Sequence, residues 1–261
     1  MIKTKNKIIL IVSSALLVSV VVLSVIFSTP YRNSSSLVKA IKKEDCEKVE
    51  ELLSSGIDPN VTTTSNISEF ILNIVESTGE RPLSVACDVG NLEIVQMLID
   101  YGATAEPYDK CGWSPLNQTL LHYQPDDKAI VELLLKHGAD INENNPYGQP
   151  IFNAAEMVPK KYDRKEHNRV YYVGGYDAEV AAEITNIVKM LLEYGNFDVN
   201  LKSSYDDSTL LIAATKSGNL CLVKYLLDLG CDATAKDNSN KTAYDYAVQF
   251  NNKDIIALLE N

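Results

Sequence analysis

The side chains able to do acid–base, nucleophilic or metal chemistry are scattered along this 261-residue chain. Its three histidines are His122, His137 and His167. No two stand at the spacing of a metal-binding pair, and neither H-E-x-x-H nor C-x-x-C occurs. The five cysteines, Cys46, Cys87, Cys111, Cys221 and Cys231, are too few and odd in number for a disulfide framework, and read as small structural residues. Ser, Asp and His are present, but without the strand–turn–helix elbow that exposes a nucleophile. No glycine-rich phosphate loop occurs, and Gly174-Gly175 is a turn signal. One stretch is unusual. Lys160, Lys161, Arg164, Lys165, His167 and Arg169 form the basic cluster of an otherwise acidic domain, followed by Tyr171, Tyr172 and Tyr176. Basic residues followed by aromatics suit single-stranded nucleic acid. The whole chain, however, has 24 basic and 35 acidic side chains, a formal charge of −11, which opposes a phosphate backbone. The residues therefore predict no enzyme, no metal, no cofactor, no small-molecule substrate and no nucleic acid. What remains is recognition of another protein.

The elements that must position these residues begin with an uncharged run of twenty, Ile8 to Phe27, preceded by Lys3, Lys5 and Lys7. As a helix it spans about 30 Å, the thickness of a bilayer core. Positive flanks stay in the cytoplasm, so the rest of the chain is expected outside it, in the periplasm or beyond the cell. The length of the run and the absence of an Ala-x-Ala exit favour an uncleaved anchor over a signal peptide. Residues 28–34 read as a tether. Removing residues 1–32 leaves 20 basic against 35 acidic side chains, a formal −15 that would speed encounter with a basic partner.

From residue 35 one phrase recurs: two aliphatics, two residues, two aliphatics, two residues, then glycine. It runs Ile94 to Gly102, Ile130 to Gly138, Ile187 to Gly195 and Leu222 to Gly230, with weaker forms at Lys48–Gly56 and Ile255–Leu259. Before each lies a short apolar segment, opened by Arg81-Pro82, Ser114-Pro115, Gln149-Pro150, Thr209-Leu210 or Thr242-Ala243; the offset is thirteen residues in three units, sixteen in the Ser114 unit and 38 in the Gln149 unit. Proline suits the first turn of a helix, where its missing N–H costs nothing. Ile94, Val95, Leu98 and Ile99 share one helical face. The glycines fall where a left-handed residue ends that helix. No unit can bury its own apolar face, so units must stack.

The phrase resembles the ankyrin repeat, T-P-L-H-x-A-A followed by G-x-x-x-I-V-x-x-L-L-x-x-G-A-D-x-N. Register residues Ser35, Arg81, Ser114, Gln149, Thr209 and Thr242 are spaced 46, 33, 35, 60 and 33 apart, two of the five intervals being the ankyrin period. The histidine of the motif is never present; Val38, Ser84, Asn117, Phe152, Ile212 and Asp245 stand there. The resemblance implies an all-α solenoid of six helix pairs with finger loops, units near 35–60, 81–107, 114–143, 149–200, 209–236 and 242–261, behind one transmembrane helix at 8–27. It also implies binding through the fingers and the exposed side of the first helices. Carried over by position, the contact residues on the helices are Asp88, His122, Glu156 and Met157, beside Lys216, Ser217 and Phe250. On the fingers they are Lys110, Trp113, Tyr147, Tyr205 and Asp206.

Two insertions depart from a plain array. One, near 63–75, carries Phe70, Ile71, Ile74 and Val75 at helical spacing. The other, near 158–182, holds the basic cluster; alternating Val170-Tyr171-Tyr172-Val173 with Gly-Gly after it suggests a β-hairpin arm, or else a solvated loop, and adds Tyr171, Tyr172 and Tyr176 as contact residues. The expected function is a membrane-anchored protein-interaction scaffold, with an immunity or inhibitor protein against a secreted enzyme or toxin as the alternative. Abundant Lys, Asn and Ile point to an AT-rich bacterial source.

Overall fold

A computed structural model of the protein describes residues 35–61, 80–106, 114–143, 148–163, 171–173 and 175–260. The basic segment 1–7, the uncharged run 8–27, the tether 28–34 and the insertion near 63–75 lie outside them. Among the described residues no helix is long and apolar enough to cross a membrane.

The recurring phrase folds as paired helices. The first pair is α1 (35–42) and α2 (Cys46–Ser54). The second is α3 (Pro82–Val89) and α4 (Leu92–Asp100), and the third α5 (Pro115–Thr119) and α6 (Asp127–Lys136). The fourth joins α7 (Pro150–Glu156) to α8 (Ala178–Gly195). The fifth and sixth are α9 (Leu210–Ser217) with α10 (Leu220–Asp228), and α11 (Ala243–Gln249) with α12 (Lys253–Leu259). The first helices from α3 to α11 pack in series, the second helices from α2 to α12 do the same, and each pair from α3 with α4 onward packs on itself. The core lies between these two layers.

Composition explains the packing. Ala86, Ala154, Ala214 and Ala247 are fully buried where the first helices meet. Ile94, Val95 and Leu98 have no exposed surface, and neither do Ile130, Val131 and Leu134 or Ile187, Val188 and Leu191. Each such aliphatic contributes on the order of 1.5–3 kcal/mol. Asn91, Asn219 and Asn252 cap the second helices by accepting a backbone N–H at the third helical position. Gly90 ends α3 in the left-handed region, with φ of 72°, where glycine is favoured, and the end of the Gln124 side chain lies against it.

Three expectations need correcting. Gly195 is the last residue of α8 rather than the left-handed residue after it; Asn196, φ 47°, takes that role, and the Phe197 ring packs where a Gly195 Cβ would be. The insertion near 158–182, expected as a hairpin arm or a solvated loop, overlaps a helix at its far end, because Ala178 onward already belongs to α8. Ile94 is the third residue of its helix and Ile187 the tenth of its own, so about two extra turns of helix absorb part of the added length. The remainder is a small antiparallel hairpin, β1 (Lys161–Asp163) with β2 (Tyr171–Val173), Tyr162 opposite Tyr172. Its connection is 164–170 and Gly174-Gly175 follows the second strand, so the glycines mark the exit rather than the turn. Among the described residues the fold is therefore helical with one added two-stranded hairpin. Pro159 O accepts Asp177 N–H at 2.9 Å, closing the base of the arm.

Candidate partner-binding surface

The first-helix layer and its fingers bring part of the expected surface together. The finger after α8 is a tight hairpin: Lys202 bridges Thr209, Ser203 N–H donates to Ser208 O at 2.8 Å, and Asp207 adopts φ 57° at its tip. Tyr205 therefore projects into solvent, 79% exposed. Beside it Asp206 folds back over α9. Its carboxylate accepts from Ser208 Oγ at 2.6 Å and from Lys216 Nζ at 3.0 Å. Burial works to raise the Asp206 carboxyl, but these hydrogen bonds outweigh it and hold it below the usual range.

Lys216 is the hub of this cluster. Its ammonium also donates to Ser208 Oγ at 2.9 Å, lies 4.0 Å from Asp237 Oδ2, and sits 4.8 Å above the Tyr246 ring. Tyr246 donates to Asp237 at 2.6 Å and stacks on Phe250, whose ring is exposed. Lys241 approaches the same ring to 5.2 Å and donates to Gln249. The Asp237 bond and burial push the Tyr246 phenol up to about 12, while hydrogen bonds from Tyr246, Lys241 and Ser239 outweigh burial and hold Asp237 down. Glu156 belongs to this neighbourhood. Burial raises its carboxyl, Lys216 opposes that, and Asp206 adds to it. The result is a rigid, charge-compensated patch across units four to six that presents Tyr205 and Phe250.

A second group forms between units two and three. The Asp88 carbonyl accepts Gln124 Nε2 at 2.8 Å, and the Asp88 carboxylate acts on His122. Burial lowers the His122 imidazole, and Asp88 only partly offsets it. Met157 is not on this surface: at 1% exposure its side chain fills the core after α7, a correction to the positional carry-over. The two-residue small pair of the motif is followed in unit four by the end of the helix, which turns Met157 inward. Lys110, Trp113 and Tyr147 lie outside the described residues. Tyr171 and Tyr172 occupy β2. Tyr176 is exposed at the opposite, helix-turn edge, its hydroxyl 3.6 Å from Cys221 Sγ, with burial and that thiol raising its phenol.

Sequence reading missed Asp237, Lys241 and Tyr246. The signal for Asp237 was local: an Asp before Asn-Ser-Asn-Lys-Thr, whose carboxylate accepts the N–H of Ser239 and Lys241 while Asn240 takes a left-handed φ of 60°. It also missed what replaces the absent histidine. Asn117 donates to the buried Glu143 carboxylate at 2.5 Å and accepts Asn153 Nδ2 at 2.7 Å, and Ser114 Oγ donates to the same Glu143 oxygen. Burial pushes Glu143 up to about 7 despite these donors. Among the described residues no group of three His, Cys, Asp or Glu could hold a metal ion.

The comparisons agree with this architecture. The family model for ankyrin repeats (three copies) matches residues 37–145 and 179–261, leaving out the arm. A putative ankyrin repeat protein of fowlpox virus, FPV018, is 23% identical over 87% of this chain, which spans 37% of the viral protein. A putative ankyrin repeat protein of Rickettsia bellii is 27% identical over 51% of this chain and 61% of its own length. Among solved structures, a chain from the complex of the predatory endopeptidase Bd0816 of Bdellovibrio bacteriovorus with immunity protein Bd3460 superposes with a TM-score of 0.60. It is 21% identical and covers 87% of this chain and 97% of its own. Repeated helix pairs in register, and a family model matching both flanks of the hairpin arm, make this chain a member of the ankyrin-repeat family.

Proposed function

We propose that the protein is a non-enzymatic binding array, held outside the cytoplasm by an anchor at 8–27, that grips a partner protein of basic character through the fingers and first helices. One observation carries the binding surface: the Lys216 cluster immobilises a finger and a helix end so that Tyr205 and Phe250 are displayed with little freedom left to lose. The uncharged run with its lysine flank supports the anchor. The test is capture of partners from the native cell by the full chain and by Tyr205→Ala/Phe250→Ala. A partner held by the parent chain and lost by the variant supports the reading; identical capture by both removes the patch from it. Protease treatment of intact cells tests the display, since a repeat domain that stays protected until the inner membrane is breached lies inside.

A second reading, an immunity or inhibitor protein, draws on the fold shared with a chain from an endopeptidase–immunity protein complex. It differs in a measurable way. An inhibitor abolishes the activity of one exported enzyme at one-to-one stoichiometry, with an association rate that falls steeply with salt. A scaffold leaves its partner active.

A further inference from the structure

The second-helix layer carries a groove of about 820 Å³ that the surface above does not use. It runs between α4 and α6, with the turn residues of the first three units at one end. Its floor is apolar, formed by Leu92, Ala129 and Leu133. Ala129 makes the room: in register its place is held by Glu93 in the second unit, Cys221 in the fifth and Asp254 in the sixth. The rim carries four carboxylates, Glu44, Glu93, Asp126 and Glu132, against a single cation, Lys136. Their partners are few: Glu93 takes the Cys46 thiol. Glu132 lies 3.9 Å from Lys128 in an exposed pair of the kind that adds little, and Glu44 accepts one long bond from Asn91 at 3.5 Å.

We infer that this groove seats a basic segment of a partner protein, an aliphatic side chain on the Leu92–Ala129–Leu133 floor and lysine or arginine among Glu44, Glu93, Asp126 and Glu132. Charge complementarity sets the class of occupant: an acidic or neutral segment would bring no counter-charge to four closely spaced carboxylates. The apolar floor requires more than a polycation, because a fully charged strand would leave it wet. The site does not depend on the first-helix patch, which lies on the other layer.

The experiment titrates the full chain with a fluorescent eight-residue peptide of alternating Lys and Leu, at low and moderate salt, reading anisotropy. Saturable binding by the parent chain is expected. Glu93→Gln/Glu132→Gln and Ala129→Met should each weaken it at least tenfold with unchanged circular dichroism, and Tyr205→Ala should leave it intact. Ala129→Met alters no charge, so parent-like binding by that variant means general attraction to an acidic protein and overturns the site. Parent-like binding by the double glutamine variant, absence of binding, or loss in Tyr205→Ala also overturns it.

Discussion

Asp127 opens α6 with no exposed surface, its carboxylate accepting Gln124 N–H at 2.6 Å while its other oxygen finds no partner among the described residues. Burial is the largest influence and pushes it up to about 8, the Gln124 bond pulling the other way. The ordinary value, which the unfolded chain recovers, is 3.8. Between those values the folded protein holds a proton that the unfolded chain has released. Stability therefore falls as pH rises through that window, by up to about 1.4 kcal/mol per unit. Glu143, raised to about 7, acts in the same direction; His122, lowered by burial, opposes both near its own titration. The protein should melt at a higher temperature at pH 6 than at pH 8.5. Asp127→Asn should flatten that difference by gaining stability at the alkaline end. An unchanged slope in scanning fluorimetry across both pH values would refute the assignment. Neither acid was legible in the sequence as a buried group. Asp127 looks like an ordinary acidic first-turn residue, and Glu143 meets Ser114 and Asn117 only because the finger folds back on the preceding helix.

At the scale of elements, the caps do unequal work. Asn219 is fully buried; it caps α10 and also donates Nδ2 to Ala181 O at 3.2 Å on the neighbouring unit. Asn252 caps the terminal α12 with Ile255 N–H. Asn219→Ala should cost about 2 kcal/mol, because the buried Leu222 N–H loses its acceptor and the cross-unit bond to the Ala181 carbonyl, which keeps Thr185 Oγ1, goes with it, and Asn252→Ala about 1 kcal/mol. Equal costs in urea titrations would mean the cross-unit bond contributes nothing. The hairpin arm is the opposite case. Its base is closed by Pro159 and Asp177, and Asp177 caps α8. Replacing residues 161–174 with two glycines should leave the melting temperature within a few degrees, while a fall of about 10 °C or more would make the arm part of the core. Element boundaries were legible where proline, asparagine or glycine marked them. The start of α8 was not: the insertion supplies Ala178 to Ile184 in a helical pattern, and nothing local separates added helix from added loop. Asn196 replaced Gly195 as the left-handed residue because one extra residue, before Phe197, shifts the turn.

For the molecule as a whole, stability is local and shared between neighbours. A central unit is sandwiched on both sides, whereas α12 and α11 pack on only one neighbouring unit among the described residues. Tyr244, Val248 and Phe250 accordingly stay exposed at that end. Amide exchange should be slowest in α7 to α10 and fastest in α12, with a gradient between. Uniform protection across all units would contradict nearest-neighbour stacking. The stacked helix pairs were legible because the helix phrase and its glycine recur even when single positions drift. The binding patch was only half legible. Position within a repeat gave Asp206, Lys216 and Phe250, yet the hub depends on three units meeting, and no single-unit pattern encodes that. The same limit placed Met157 outside.

Side chains also cross nearly every boundary between units. Asn60 holds the main chain of Gly102 and Thr104, Gln124 holds Asp88, Tyr194 holds Leu135, Ser217 holds Ala155, and Asn200 holds Asp232. The units are for that reason not interchangeable cassettes. A recombination breakpoint between two of them, or a transplanted consensus copy, would orphan a clasp on each side unless both halves moved together, so natural shuffling of this array should respect adjacent pairs rather than individual copies.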